Sequence, residues 1–256
     1  MHSPEELKAL VEEALERLDL WPELHGQATS VRFSLEVGGK RVRPVIGLAV
    51  GEALGAPVEQ VMPAALAIEL VHTFSLVHDD LPAMDGDEER RGHPSTWKKF
   101  GEGVGVLAGD ALLAEAVRLA ARYESSAVAR EMAEATLGMI GGQYLDTMVE
   151  GYDLAAVHRL KTGRLFYASV TMALWAAELA EEEQAPWRAF AEELGLLFQI
   201  VDDILDEDGY VREHGADGAR RYADEAAERA RAQLAEVDAD TTVLRNIVDG
   251  LAVRTA

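Results

Sequence analysis

The chain has 256 residues, 48% of them hydrophobic, and its 46 acidic against 24 basic side chains give a formal charge of −22. That size suffices for one domain with a large core, and the charge argues against nucleic acid or an anionic membrane as the main partner. There is no cysteine, so disulfides and thiol chemistry are excluded.

The opening Met1-His2-Ser3-Pro4 lacks signal-peptide character, and no uncharged apolar run reaches about 18 residues. The expectation is a cytoplasmic protein with no stable membrane anchoring. The few lysines, Lys8, Lys40, Lys98, Lys99 and Lys161, in so acidic a chain fit salt adaptation or a GC-rich genome equally.

Ser3 and Pro4 read as N-cap and first residue of a helix over 4–18, with Glu6 at the capping-box position. Helices follow over 28–36, ended by Gly38-Gly39, and over 42–54, broken by Gly55-Ala56-Pro57. A long apolar helix over 59–80 carries His72 and ends in Asp79-Asp80, with Pro82 as its stop. Beyond a charged loop from Gly86 to Pro94 come helices over 104–122, 126–148, 153–162, 163–182 and 187–206. A loop through Gly209 and Gly215 leads to the last two, over 217–236 and 239–254. No alternating strand pattern survives, so the fold class is all-α.

Two acidic runs stand out. On the helix ending at Asp206, Asp202 and Asp206 lie one turn apart, Asp203 sits beside them, and Gln199 falls one turn earlier. Close carboxylates repel unless something positive neutralises them, and oxygen-only ligands suit Mg²⁺, which completes its shell with water and phosphate. Asp79, Asp80 and Asp85 form the other run at the end of a second apolar helix. Two such windows facing across a cavity would hold several Mg²⁺ ions; either one alone reads equally as a solvated patch.

Phosphates need cations, and Gly38-Gly39-Lys40-Arg41-Val42-Arg43-Pro44 crowds them at a helix start, where the dipole disfavours positive charge. Arg90-Arg91 reads either as a phosphate clamp or as local neutralisation of Asp87, Glu88 and Glu89. His72 stands two turns before Asp79 and points the same way, as a ligand or as an ordinary core residue. Lys161-Thr162-Gly163 falls at a helix junction.

Together these pieces resemble the trans-isoprenyl diphosphate synthases, the polyprenyl synthetase family, and within it the bacterial short-chain farnesyl and geranyl diphosphate synthases. Both aspartate-rich runs and the GGKRxRP segment stand in the family's order, with Gly141-Gly142-Gln143 and Lys161-Thr162-Gly163 between them. The resemblance is continuous over residues 30–206 and looser beyond. It implies an isoprenoid synthase-type helical bundle around a deep central cavity, one domain over 1–256, and a homodimer. It also implies that Asp79, Asp80, Asp85, Asp202, Asp203 and Asp206 bind about three Mg²⁺.

On the same basis Lys40, Arg43, His72 and Arg91 hold isopentenyl diphosphate. Arg90 and Lys161 touch the allylic diphosphate (dimethylallyl or geranyl), while Gln143, Thr162 and Gln199 lie near the reacting carbon. Phe74 and Ser75 form the floor that limits the product to about ten to fifteen carbons. Core packing alone also accounts for Phe74.

Three departures stand against the family pattern. Asp206 runs through Glu207-Asp208-Gly209 almost directly into Tyr210, a connection around 206–212 roughly twenty residues short, and no lysine follows Lys161. Trp97 stands where histidine is common, and His93 replaces a basic residue before Pro94. A class I terpene cyclase, a non-catalytic subunit of a heteromeric prenyl synthase and a purely structural bundle are the alternatives. The complete set of six aspartates and the intact Lys40, Arg43 and His72 favour the synthase.

Overall fold

A computed structural model of the chain describes residues 1–149, 157 and 159–253. It is 77% helical. The helices are α1 (Pro4–Glu16), α2 (Gln27–Glu36), α3 (Val42–Ala53), α4 (Val58–Asp79), α5 (Thr96–Phe100) and α6 (Glu102–Ala120), then α7 (Ala127–Met148), α8 (Arg164–Ala176), α9 (Ala185–Asp206), α10 (Tyr210–Ala235) and α11 (Thr242–Ala252). Among the described residues the only strands are the two-residue pair Glu89–Arg90 and His93–Pro94, antiparallel, in the charged loop after α4.

The first helix begins as its sequence dictates. Ser3 Oγ accepts the Glu6 N–H, and Glu6 returns a carboxylate to the Ser3 N–H at 2.7 Å. Elsewhere the boundaries moved for identifiable reasons. The helix expected over 163–182 ends at Ala176, because Glu178 takes a left-handed conformation (φ 60°) and Leu179 N–H reaches back to the Leu174 carbonyl at 3.0 Å. This six-to-one closure is usually made with glycine, and no glycine marked it. Gly101, at φ 96°, separates α5 from α6. The last long helix starts at Tyr210 rather than 217 and contains a single non-helical residue, Gly215. Of the helix expected over 153–162, most lies outside the described residues; Arg159–Gly163 forms a π turn.

The central rod is α4, buried from Val61 to Val77 on most of its circumference and packed against α3, α6 and α8. By length and apolarity it would suffice to cross a membrane, yet it is mostly buried inside the bundle. Pro63 removes one backbone donor. The Tyr123 hydroxyl repairs the turn by accepting the Ala64 N–H at 3.0 Å and donating to the Gln60 carbonyl at 2.8 Å. Burial pushes this phenol up to about 12. Helix α9 builds its core face from Trp187, Phe190, Leu194, Leu197, Phe198 and Val201 at three- and four-residue spacing.

One buried ion pair locks the basic turn onto this scaffold. Arg41 is 4% exposed, in a left-handed conformation (φ 52°), and donates to Glu69 of α4 at 2.8 Å, Glu12 of α1 at 3.0 Å and the Leu35 carbonyl of α2 at 2.5 Å. Arg41 is therefore a structural pin, and its neighbours Lys40 and Arg43 are left to the cavity. Removing one partner strands the other as a buried charge. Arg41→Ala is expected to lower unfolding free energy by about 3 kcal/mol, read as a shifted midpoint in urea denaturation with unchanged slope.

Candidate active site

A cavity of about 1030 Å³ opens between α3, α4, α7, α9 and the π turn. Its wall includes Lys40, Arg43, His72, Asp79, Arg91, Gln143, Lys161, Thr162 and Asp202, with Phe74 and Ser75 one turn before Asp79. The two acidic helices thus present one carboxylate each to a common space.

Asp79 ends α4, and the chain folds back at once. Leu81 O accepts N–H groups from Met84 (2.8 Å) and Gly86 (3.1 Å), while Asp79 O accepts the Asp85 N–H at 2.9 Å. This turn returns Asp85 to the neighbourhood of Asp79. Burial pushes the Asp79 carboxyl up to about 6, with Lys161 opposing and Asp85 adding to the rise. Asp202 is likewise pushed up to about 6, first by burial and then by Asp206, with Arg43 opposing. Asp206 itself is exposed at the end of α9.

The second aspartate of each pair is engaged elsewhere. Asp80, 2% exposed, accepts Arg90 Nε at 2.7 Å and Nη2 at 2.5 Å. Asp203, 4% exposed, accepts the Gln199 amide at 2.6 Å and the Tyr210 N–H at 2.9 Å. Asp80, Asp85, Arg90, Gln199, Asp203 and Asp206 are not part of the cavity wall, although the sequence placed all six at the site.

Cations approach from three sides. The missing Cβ of Gly39 admits the Arg91 guanidinium, whose Nη1 would lie 2.8 Å from such an atom, and Arg91 also donates to the Gly38 carbonyl. Arg43 stacks on the Phe166 ring, 4.5 Å from its centre, and its buried Nε has no partner. Burial lowers the Arg43 pKa to about 10. The same burial, with Arg43 and Arg91 nearby, holds the His72 imidazole neutral, well below its ordinary range. Lys161 Nζ binds Asp146 at 2.6 Å. The π turn carrying Lys161 packs tightly on α7 because Gly142 lacks a Cβ, which would stand 2.5 Å from Lys161 N. Beside it, both polar atoms of the Gln143 amide are buried without a partner.

Asp146 was missed from sequence; the available signal was its spacing three residues after Gln143 on one face of α7. Trp97 donates its indole N–H to the Asp87 carbonyl at 2.9 Å, tying down the charged loop, and His93 is exposed. His78 fits over α6 only because residue 109 is glycine, where any Cβ would overlap the imidazole. Its Nε2 lies 3.0 Å from the Val106 carbonyl.

Among the described residues no three acidic or imidazole side chains converge into a closed metal cage. The cavity instead offers Asp79 and Asp202 from different helices, both oxygen donors, both partly buried and both with burial outweighing the nearby cations. That donor set fits a hard dication that takes its remaining ligands from phosphate and water.

Residues 27–218 match the sequence pattern of the polyprenyl synthetase family. Over 249 residues the chain is 40% identical to a heterodimeric geranylgeranyl pyrophosphate synthase large subunit of Arabidopsis thaliana, covering 82% of this chain and 67% of that protein. It is 41% identical over 195 residues to the farnesyl diphosphate synthase of Bacillus subtilis, covering 70% of this chain and 66% of that protein. The chain thus spans about two thirds of the length of these relatives. Its fold superposes on a geranyltransferase from Legionella pneumophila with a TM-score of 0.83 and 28% identity, over 98% of this chain and 94% of the other.

The two raised carboxyls set a pH dependence. Both hold protons more tightly folded than unfolded, so between about pH 4 and 6 the folded state binds more protons, and the stability this supplies is lost as pH rises through that window. In chelator, the thermal midpoint is expected to fall between pH 5 and pH 7. The fall should be smaller in the Asp79→Asn, Asp202→Asn double variant; an equal fall in both proteins would count against this assignment.

Proposed function

This chain belongs to the polyprenyl synthetase family, and from that premise we propose that it is a Mg²⁺-dependent trans-prenyltransferase condensing isopentenyl diphosphate with dimethylallyl or geranyl diphosphate. The observation that carries this reading is one cavity lined by Asp79 and Asp202 from two different helices together with Lys40, Arg43, Arg91 and Lys161. Residues 1–256 are read as one domain.

Asp79 and Asp202, assisted by Asp85 and Asp206, would hold the ions. Bound Mg²⁺ supplies charge neutralisation to the allylic diphosphate as it departs. Lys161, held by Asp146, lies on the same side and stabilises that charge further. Lys40, Arg43 and Arg91 bind the second diphosphate, and neutral His72 donates a hydrogen bond without adding charge. The allylic C–O bond breaks, and the double bond of isopentenyl diphosphate attacks the resulting cation to form the new C–C bond. One proton then leaves to the released pyrophosphate. Gln143 and Thr162 turn dipoles toward the cationic carbon, and the orphaned Gln143 amide supports that role. The apolar wall around Phe74, Leu76 and Phe198 keeps water from the cation.

A cyclase needs only one diphosphate; Lys40, Arg43 and Arg91 in addition to Lys161 favour two. Phe74 is 6% exposed and stacks edge-on with His78, 5.4 Å between ring centres, as a rigid floor should. The relatives are farnesyl and geranylgeranyl diphosphate synthases, so the short-chain window extends upward from the ten to fifteen carbons expected of Phe74. Exposed apolar side chains on α6 and α7, among them Leu107, Val117, Leu137 and Tyr144, support pairing with a second copy.

With Mg²⁺, isopentenyl diphosphate and either allylic partner, the purified protein is expected to release an elongated diphosphate; a hydrocarbon would support the cyclase instead, and activity only with an added subunit the heteromeric reading. Asp79→Asn should reduce kcat by about 100-fold. Phe74→Ala should lengthen the product on chromatography, and an unchanged product would remove Phe74 from the floor.

A further inference from the structure

The connection between α9 and α10 spans only Glu207 to Gly209, and Asp203 organises it. Its backbone carbonyl accepts the Asp208 N–H at 3.0 Å, and its carboxylate accepts the Tyr210 N–H at 2.9 Å and the Gln199 amide at 2.6 Å. The first turn of a helix presents donors with no partner inside the helix, and negative charge is favoured there. Asp203 supplies both needs to α10 from the preceding helix. Gly209 is matched to this arrangement: at φ 42° it packs so closely on the carboxylate that any Cβ would overlap it. Asp203 is 4% exposed and not part of the cavity wall, whereas its neighbour Asp202 is.

We propose that Asp203 is a positioning residue that anchors against α9 the first segment of α10, Tyr210–His214, before the kink at Gly215, while the metal-facing role of this acidic run belongs to Asp202. The shortness of the connection is what brings Tyr210 within reach of the residue seven positions earlier. Only the assignment to Asp202 rests on the function proposed above; the anchor stands on its own contacts.

The test compares thermal midpoints of the wild type, Asp203→Ala, Asp203→Asn and Asp202→Asn, each with and without Mg²⁺ plus inorganic pyrophosphate. Asp203→Ala removes the acceptor of the buried Gln199 amide and of the Tyr210 N–H, so its basal midpoint should fall by about 4 to 8 °C, with faster amide exchange at Tyr210 to His214. Asp203→Asn keeps an acceptor for Tyr210 and, once Gln199 turns its amide over, a donor for that residue. It should stay within about 2 °C of wild type and keep the full rise caused by Mg²⁺ and pyrophosphate. Asp202→Asn should lose that rise, while its basal midpoint at about pH 7 does not fall, because a carboxylate penalised by burial has been removed. An unshifted Asp203→Ala, or an Asp203→Asn that loses the rise as Asp202→Asn does, would overturn the proposal. If wild type itself showed no rise, the metal reading of the cavity would fail, and Asp203→Ala would still decide the anchor.

Discussion

Burying a carboxylate more deeply than its countercharges repay is costly, and this protein does it twice around one cavity. Asp79 and Asp202 sit where burial outweighs the nearby lysine and arginine, and both hold their protons more tightly than free aspartate. Such a site is a poor resting place for charge and a good receptor for a hard cation with phosphate. The rest of the bundle keeps the two helices that carry these groups from relaxing toward solvent or toward each other.

Much of that restraint comes from ion pairs that join one helix to the next. Arg41 joins α1, α2 and α4, and Arg188 draws Glu131 of α7 to α9 at 2.6 Å. Glu131 also accepts from Thr171 and Trp175 of α8, completing a buried set in which every carboxylate oxygen is used. These contacts fix crossing helices at defined depths, a specificity that apolar packing alone supplies less sharply. The basic turn benefits directly: with Arg41 committed inward, Lys40 and Arg43 have only the cavity left to address.

The sequence made the architecture legible through period and punctuation. Apolar spacing located α4 and α9, paired aspartates marked their ends, and Gly38-Gly39 announced a turn. What it hid were closures made by unexpected residues. Glu178 ends α8 in a conformation usually left to glycine, and Tyr123 mends a helix bond broken by a proline sixty positions earlier in the chain. It also gave each aspartate in a pair the same standing. Neighbours on a helix differ in direction by about 100°, so Asp79 and Asp80, or Asp202 and Asp203, point different ways. Which of each pair turns inward depends on Arg90, Gln199 and Tyr210, whose proximity only the folded chain creates.

Gly109 lies outside the cavity, yet its bareness decides where His78 rests, and His78 braces the ring of Phe74. With Phe74 as the proposed floor, control over how long a hydrocarbon the pocket tolerates would be shared between two helices, one of the keys being held by a residue no ligand would touch. Selection could retune product size from α6, through an evicted imidazole, leaving every charged group in place.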